Sequence, residues 1–154
     1  MGSEYIHKAH NVSVLIYHVV CPAKYRRVVI NRKVEEVIKD TCLEIEKRWE
    51  IKFLEIGLDG DHAHFLIQSV PMYSPSTIVQ RIKSLTAKEV FKKAPEVKIQ
   101  LWGGEFWGKG YFISTVGQHG NENTIATYVK NQGSTSDYQV LHKQLELSLF
   151  PNTP

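Results

Sequence analysis

The stretch "DGDHAHFLIQSV", residues 59–70, reads as a turn followed by an apolar strand. Successive side chains of a strand point to opposite faces, so His62 and His64 stand side by side on one surface. The residues of the opposite face, which can enter a core, are Ala63, Phe65 and Ile67. Two adjacent imidazoles on one face can be a metal site, a titrating surface pair or an accident of sequence. The other motifs of the chain are needed to choose between these three interpretations.

Three elements are predicted upstream of this stretch. Residues 11–21, NVSVLIYHVVC, are rich in strand-forming residues and apolar on both faces, which is typical of a central, doubly buried strand. Residues 31–50 carry apolar side chains at helical spacing, and Asn31 can serve as the N-cap. A second strand is expected at 51–58.

The pattern after residue 58 continues the alternation of elements. Asp59-Gly60 is a two-residue hairpin signal that leads into the third strand at 62–70. Ser74-Pro75 opens a second helix of about 20 residues, which Pro95 follows. Residues 111–116, YFISTV, form the fourth strand.

Two more helices are expected near the C-terminus. Asn121 or Asn123 caps a short helix through Gln132, which Gly133 stops. Residues 133–136 are a flexible joint, and 137–149 form a terminal amphipathic helix.

The whole order is β-α-β-β-α-β plus C-terminal helices, which indicates an α+β, ferredoxin-like (RRM-like) fold in a single domain over 1–154. In this arrangement an antiparallel sheet carries helices on one face. If the apolar side of the third strand faces those helices, His62 and His64 lie on the open face. Such a face, flanked by basic residues, is a common surface for single-stranded nucleic acid.

The composition is that of an ordinary globular protein, with 154 residues, 42% hydrophobic and 23% charged. Neither a membrane span nor a secretory signal is recognisable, so we expect a cytoplasmic protein. Cys21 and Cys42 form no CxxC motif and are expected to be reduced packing residues, with a disulfide or a reactive thiol as the alternative.

The net charge is only +3, but the basic residues are unevenly distributed. A segment from 22 to 33 contains five basic residues and no acid: Lys24, Arg26, Arg27, Arg32 and Lys33. A segment from 75 to 93 contains five more against one acid: Arg81, Lys83, Lys88, Lys92 and Lys93. One such run is usually a solvated face, but two in one small domain favour a polyanionic partner.

The short helix at 123–133, NTIATYVKNQG, places Tyr128 and Gln132 four residues apart on one face. If that helix lies over the sheet, His62, His64 and Gln132 offer two nitrogens and one oxygen to a metal with open positions. Such a mixed set suits Mn²⁺ or Mg²⁺ held partly by phosphate oxygens better than Zn²⁺. Tyr128 is then placed to attack a phosphodiester.

Five segments resemble the single-tyrosine HUH transposases, the TnpA-type enzymes of small bacterial and archaeal insertion sequences. They are YHVVCPAKYRR (17–27), GDHAHFLI (60–67), IVQRIKSLTAKEVF (78–91), LWGGEFWGKGYFISTVG (101–117) and IATYVKNQG (125–133). The order of the segments and the Tyr-x-x-x-Gln spacing match. One departure is Val20 before Cys21, where the family often has tryptophan.

The resemblance implies an enzyme that cuts and rejoins single-stranded DNA with Mg²⁺ or Mn²⁺, through a 5′-phosphotyrosine link. It implies recognition of DNA hairpins near the element ends. It also implies a homodimer joined through the first strands, near 12–20, and the family topology would place this strand at a sheet edge. Each tyrosine helix is then expected to serve the partner's histidines. It assigns Tyr128 as nucleophile and His62, His64 and Gln132 as metal ligands. Phosphate contacts are expected from Lys24, Arg26, Arg27, Arg81 and Lys83.

Three other functions stay open. KGYFIS, 109–114, partly matches the aromatic strand motif of a non-catalytic RRM-type single-strand binder, although on the fourth strand rather than the third. A metal-dependent hydrolase would use the same histidines with water as nucleophile. A domesticated HUH relative would act as a monomer on repeated genomic hairpins.

Overall fold

The computed structural model of the protein describes residues 6–7, 12–13 and 15–116. The predicted helices at 123–133 and 137–149, and the joint at 133–136, lie outside the described residues.

A four-stranded antiparallel sheet forms the centre of the fold. Its strands are β3 (Leu15–Pro22), β4 (Lys52–Asp59), β5 (His62–Ser69) and β6 (Phe112–Thr115), in the spatial order β4-β5-β3-β6. A separate two-stranded piece pairs β1 (Ile6–His7) with β2 (Val12–Ser13). The predicted antiparallel sheet with helices is confirmed.

Strand β3 occupies an internal position. It pairs with β5 along its whole length and with β6 over 17–20. The prediction of a central, doubly buried strand is therefore confirmed. The expectation that this strand lies at a sheet edge is wrong, because both of its sides are hydrogen-bonded to neighbours.

Both long helices begin where their caps predict. Asn31 Oδ1 accepts the Val34 N–H at 3.0 Å at the start of α1 (Arg32–Arg48). Ser74 Oγ accepts the Thr77 N–H at 3.2 Å at the start of α2 (Pro75–Lys93). A short third helix, α3 (Pro95–Gln100), was not predicted. Pro95 opens this helix, since the first helical position needs no N–H donor.

The β4–β5 hairpin turns one residue later than predicted. Asp59 pairs with His62, so the two turn residues are Gly60 and Asp61. A Cβ on Gly60 would lie 2.7 Å from Val28 Cγ1. The segment before α1 therefore packs directly against the turn, and a larger residue at position 60 would displace the Val28 side chain.

The face of the sheet that packs against the helices is the predicted one. Ala63, Phe65 and Ile67 are fully buried in one hydrophobic cluster with α1 and α2. The opposite face is not open along β5, because His64, Leu66 and Gln68 are also fully buried.

Cys21 and Cys42 are buried, unbridged thiols, as expected. Burial raises the pKa of the Cys21 thiol to about 12 and raises that of Cys42 as well. Both groups are therefore poor nucleophiles. Among the described residues, no helix is long and apolar enough to cross a membrane.

Candidate metal and nucleic-acid site

Strand β5 places His62 and His64 next to each other at the hairpin end of the sheet. Their ring centroids lie 4.8 Å apart, with the ring planes at 74°. Pro22 pairs with His62 and Val20 with His64, so the end of β3 forms the neighbouring wall. His62 is 8% exposed and His64 is 0% exposed, so the pair does not lie on the exposed surface.

The ring of His62 is oriented by the residue before it. Its Nδ1–H donates to Asp61 Oδ1 at 2.6 Å. The other carboxylate oxygen, Oδ2, accepts from Arg26 Nε at 3.2 Å. Burial acts to raise the pKa of the Asp61 carboxyl, but the His62 hydrogen bond and the Arg26 charge outweigh it and hold that pKa below its ordinary value. Asp61 therefore remains an acceptor for His62 at neutral pH.

The ring of His64 is oriented by His18 on β3. His18 Nε2 lies 3.0 Å from His64 Nδ1, and the two rings stack at 5.3 Å. The motifs quoted above did not single out His18 as a site residue. The alternation along β3 could have indicated this contact. Tyr17 and Val19 point to the core face of the sheet, so His18, which lies between them, points to the opposite face, the one that carries His64.

The donor set fits a divalent metal. Metal-bound histidines characteristically use one ring nitrogen for the ion and the other for a carboxylate or another polar partner. In both His62 and His64 the Nδ1 atom contacts such a partner, so a metal would be bound through Nε2 of each ring. For His64 this requires the tautomer in which its Nδ1–H donates to His18.

A second group of possible ligands, Asp59, Asp61 and His62, lies at the hairpin turn, with donor atoms within 4.8 Å of one another. These carboxylates already have structural roles. Asp61 binds His62 and Arg26, and Asp59 Oδ1 accepts the Gly60 N–H at 2.8 Å. His62 therefore belongs to two candidate ligand groups, this one and its pair with His64.

Three of the predicted basic residues follow directly after β3, beside this site. Lys24 and Arg26 belong to a 3-10 turn, Lys24–Arg26. The Ala23 N–H donates to the Asp61 carbonyl at 2.8 Å and joins this segment to the hairpin turn. Lys24, Arg26 and Arg27 are thus gathered within one short loop next to His62.

Comparison with known proteins decides the family. The family model described as "Transposase IS200 like" matches residues 11–132. The chain belongs to this family.

Three known proteins illustrate the similarity. The ISDra2 transposase TnpA of Deinococcus radiodurans is 31% identical over 121 residues, which cover 77% of this chain and 84% of that protein. A crystallised putative transposase from Deinococcus radiodurans R1 matches with a TM-score of 0.67 at 26% identity, over 84% of this chain and 98% of that one. A REP-associated tyrosine transposase bound to a REP hairpin shares the fold alone, with a TM-score of 0.54 at 6% identity, over 80% of this chain and 69% of that one.

The remaining basic residues predicted for this IS200-like transposase lie on α2. Arg81 on α2 stacks over the Trp49 ring, at 4.7 Å from its centroid, on the helical side of the sheet. Lys83 Nζ donates to the Gly108 carbonyl at 2.6 Å and so holds the segment before β6.

Tyr128 and Gln132 of this IS200-like transposase lie outside the described residues. Their roles as nucleophile and third metal ligand stay predictions.

Proposed function

We propose that this transposase cleaves and rejoins single-stranded DNA at the ends of an insertion sequence, through a covalent 5′-phosphotyrosine link on Tyr128. The observation that carries the proposal is the buried pair His62 and His64, with the Nδ1 atom of each ring engaged. Imidazole rings whose orientation is fixed in this way are suited to binding a metal that also binds a phosphodiester. The catalytic domain is proposed to span residues 1–154.

The metal ligands are proposed to be His62, His64 and Gln132. Mg²⁺ or Mn²⁺ bound there would withdraw electron density from the phosphodiester and favour attack on phosphorus. Two neutral imidazoles and an amide oxygen add no negative charge to the site. The ion's charge is therefore left to balance the phosphate.

Tyr128 is proposed to supply the attacking oxygen. A bond forms between its Oη atom and phosphorus while the bond from phosphorus to the 3′ oxygen breaks. The phenol loses its proton and the leaving oxygen gains one, which gives a free 3′-hydroxyl. Attack by a 3′-hydroxyl on the phosphotyrosine reverses these steps, so one ester replaces another and neither water nor ATP is consumed.

The loop with Lys24, Arg26 and Arg27 is proposed to contact DNA phosphates near the histidine pair. Arg81 and Lys83 are retained as weaker candidates, since the contacts above tie them to Trp49 and to the Gly108 carbonyl. The DNA is proposed to carry subterminal hairpins, and the reaction to occur in the cytoplasm.

The active form is proposed to be a homodimer whose tyrosine helices serve the partner's histidines. Because β3 pairs with β5 along its whole length and with β6 over 17–20, sheet-to-sheet pairing would use β4 or β6 instead. A domesticated relative acting on repeated genomic hairpins would share the site without this dimer.

The alternative of a non-catalytic RRM-like binder draws support from Tyr111 and Phe112, which expose aromatic rings at the edge strand. One experiment separates the candidates. The protein is incubated with single-stranded oligonucleotides from the DNA flanking its own gene and then run on a denaturing gel. A metal-dependent covalent adduct is expected; retention of DNA without an adduct would favour the binder, and cut DNA with free ends would favour a hydrolase.

A further inference from the structure

A cluster of exposed aromatic and cationic side chains lies beside the histidine pair. Tyr25 is 61% exposed and Trp102 is 71% exposed, and their ring centroids are 5.4 Å apart. The Arg27 guanidinium lies 4.6 Å from the Trp102 ring centroid, and Lys24 Nζ lies 5.5 Å from that of Tyr25. We call these four residues, Lys24, Tyr25, Arg27 and Trp102, the aromatic platform.

The backbone beneath the platform is strained. Tyr25, Arg26 and Trp102 have φ values of 59°, 53° and 53°, and they are the only non-glycine residues with positive φ in the described part of the chain. Bulky side chains are rarely found in this left-handed region. Such strain persists where the surrounding structure enforces it, and it gathers at ligand sites.

The two segments of the platform are held together by the backbone. The Lys24 N–H donates to the Phe106 carbonyl at 2.8 Å, and Ala23 forms an isolated bridge with Trp107. The turn that carries Trp102 is thereby fixed against the turn that carries Tyr25. The rings of Tyr25 and Trp102 are therefore fixed in exposed positions. The other two tryptophans differ, since Trp107 is buried and Trp49 is partly buried.

The platform is linked to the histidine pair through two residues, Arg26 and Asp61. Arg26, which follows Tyr25, contacts Asp61 at 3.2 Å, and Asp61 contacts His62 at 2.6 Å. DNA whose phosphate lies at the histidines therefore has its neighbouring nucleotides near the platform.

We propose that the aromatic platform stacks an unpaired base of single-stranded DNA adjacent to the phosphodiester at the histidine pair. This inference deepens the proposed function and rests on it. Every base has a π-face, whereas paired bases in a duplex are already stacked on each other. Arg27 makes no ion pair with a carboxylate in the described chain, so its charge is left for the adjoining phosphate.

The test compares two probes of equal charge, an oligothymidylate of about 20 nucleotides and an abasic oligomer of the same length. Only the first can stack. Trp102→Gly removes the ring and suits the left-handed backbone, so the variant is expected to fold. It should bind oligothymidylate roughly fivefold or more weakly, and the abasic oligomer as the wild type does. Trp102→Phe should restore most of the binding, and Ile99→Ala, which truncates a nearby exposed side chain, should change neither.

Intrinsic fluorescence gives a second readout, since Trp102 is the exposed one of the three tryptophans. Oligothymidylate should quench the wild type more than the abasic oligomer does, and should do so far less in Trp102→Gly. Equal binding of oligothymidylate by wild type and Trp102→Gly would overturn the platform, as would an equal loss for both probes. Covalent adduct formation is scored separately: no adduct from wild type, with the stacking results as expected, would remove the proposed function but leave the binding surface in place.

Discussion

At the scale of single residues, the two histidines of the site depend on different partners. Asp61 is adjacent in sequence and belongs to the same hairpin turn as His62. His18 lies 46 positions from His64 and reaches it only because β3 and β5 pair in one register. Each partner restrains the ring whose other nitrogen would meet the metal, so both should affect metal affinity without touching the ion.

The first prediction concerns the ligands. His62→Ala or His64→Ala should abolish DNA cleavage but leave hairpin binding largely intact, because phosphate contacts supply most of the affinity. Cleavage and gel-shift assays on the same oligonucleotide measure the two effects. If either variant cleaved DNA at the wild-type rate and EDTA did not inhibit cleavage, the proposed role of a metal would be wrong.

The second prediction concerns His18. His18→Leu should lower Mn²⁺ affinity by about 10- to 100-fold, since outer partners of metal ligands have effects of this size. His18→Gln, whose amide oxygen can accept from His64, should recover part of the loss. Calorimetric titration with Mn²⁺ measures both variants, and unchanged affinity in His18→Leu would show that His18 only fills space.

At the scale of elements, the hairpin turn controls where the histidines stand. Gly60→Ala would place a Cβ 2.7 Å from Val28 Cγ1, and moving this exposed side chain off its preferred rotamer costs about 0.5–1.5 kcal/mol of unfolding free energy. Gly110→Ala is the matched control, because nothing lies within 4 Å of a Cβ there. Urea unfolding should show a lower midpoint for the first variant only. Equal midpoints would mean that the segment before α1 can move to accommodate the added methyl group without a loss of stability.

Local patterns predicted the elements well because their causes are local. The alternation in β5 assigned the core face and the histidine face, and the caps at Asn31 and Ser74 placed both helix starts. The predicted edge position of β3 failed because strand order depends on long-range pairing. The His18 contact was missed for the same reason, since register across β3 and β5 cannot be read from either strand.

At the scale of the whole molecule, the question is which protomer's tyrosine meets which histidines. Gly117, Gly120 and Gly133 flank the segment that carries Tyr128, and glycine permits backbone angles that other residues resist. His62→Ala protein mixed with Tyr128→Phe protein should regain one working site per mixed dimer if sites form in trans. The adduct should then be found only on the His62→Ala chain. No adduct after proven subunit exchange would exclude the trans arrangement.

The central claim is that a metal at the histidine pair activates DNA for attack by Tyr128. The most direct measurement is peptide mass spectrometry of the protein after reaction with single-stranded DNA from its own element ends, with Mg²⁺ or with EDTA. The account predicts a nucleotide attached to Tyr128 in the Mg²⁺ sample, and none with EDTA or in Tyr128→Phe. Attachment at Tyr111, at Tyr138 or at a serine, or an adduct that forms equally well in EDTA, would contradict it.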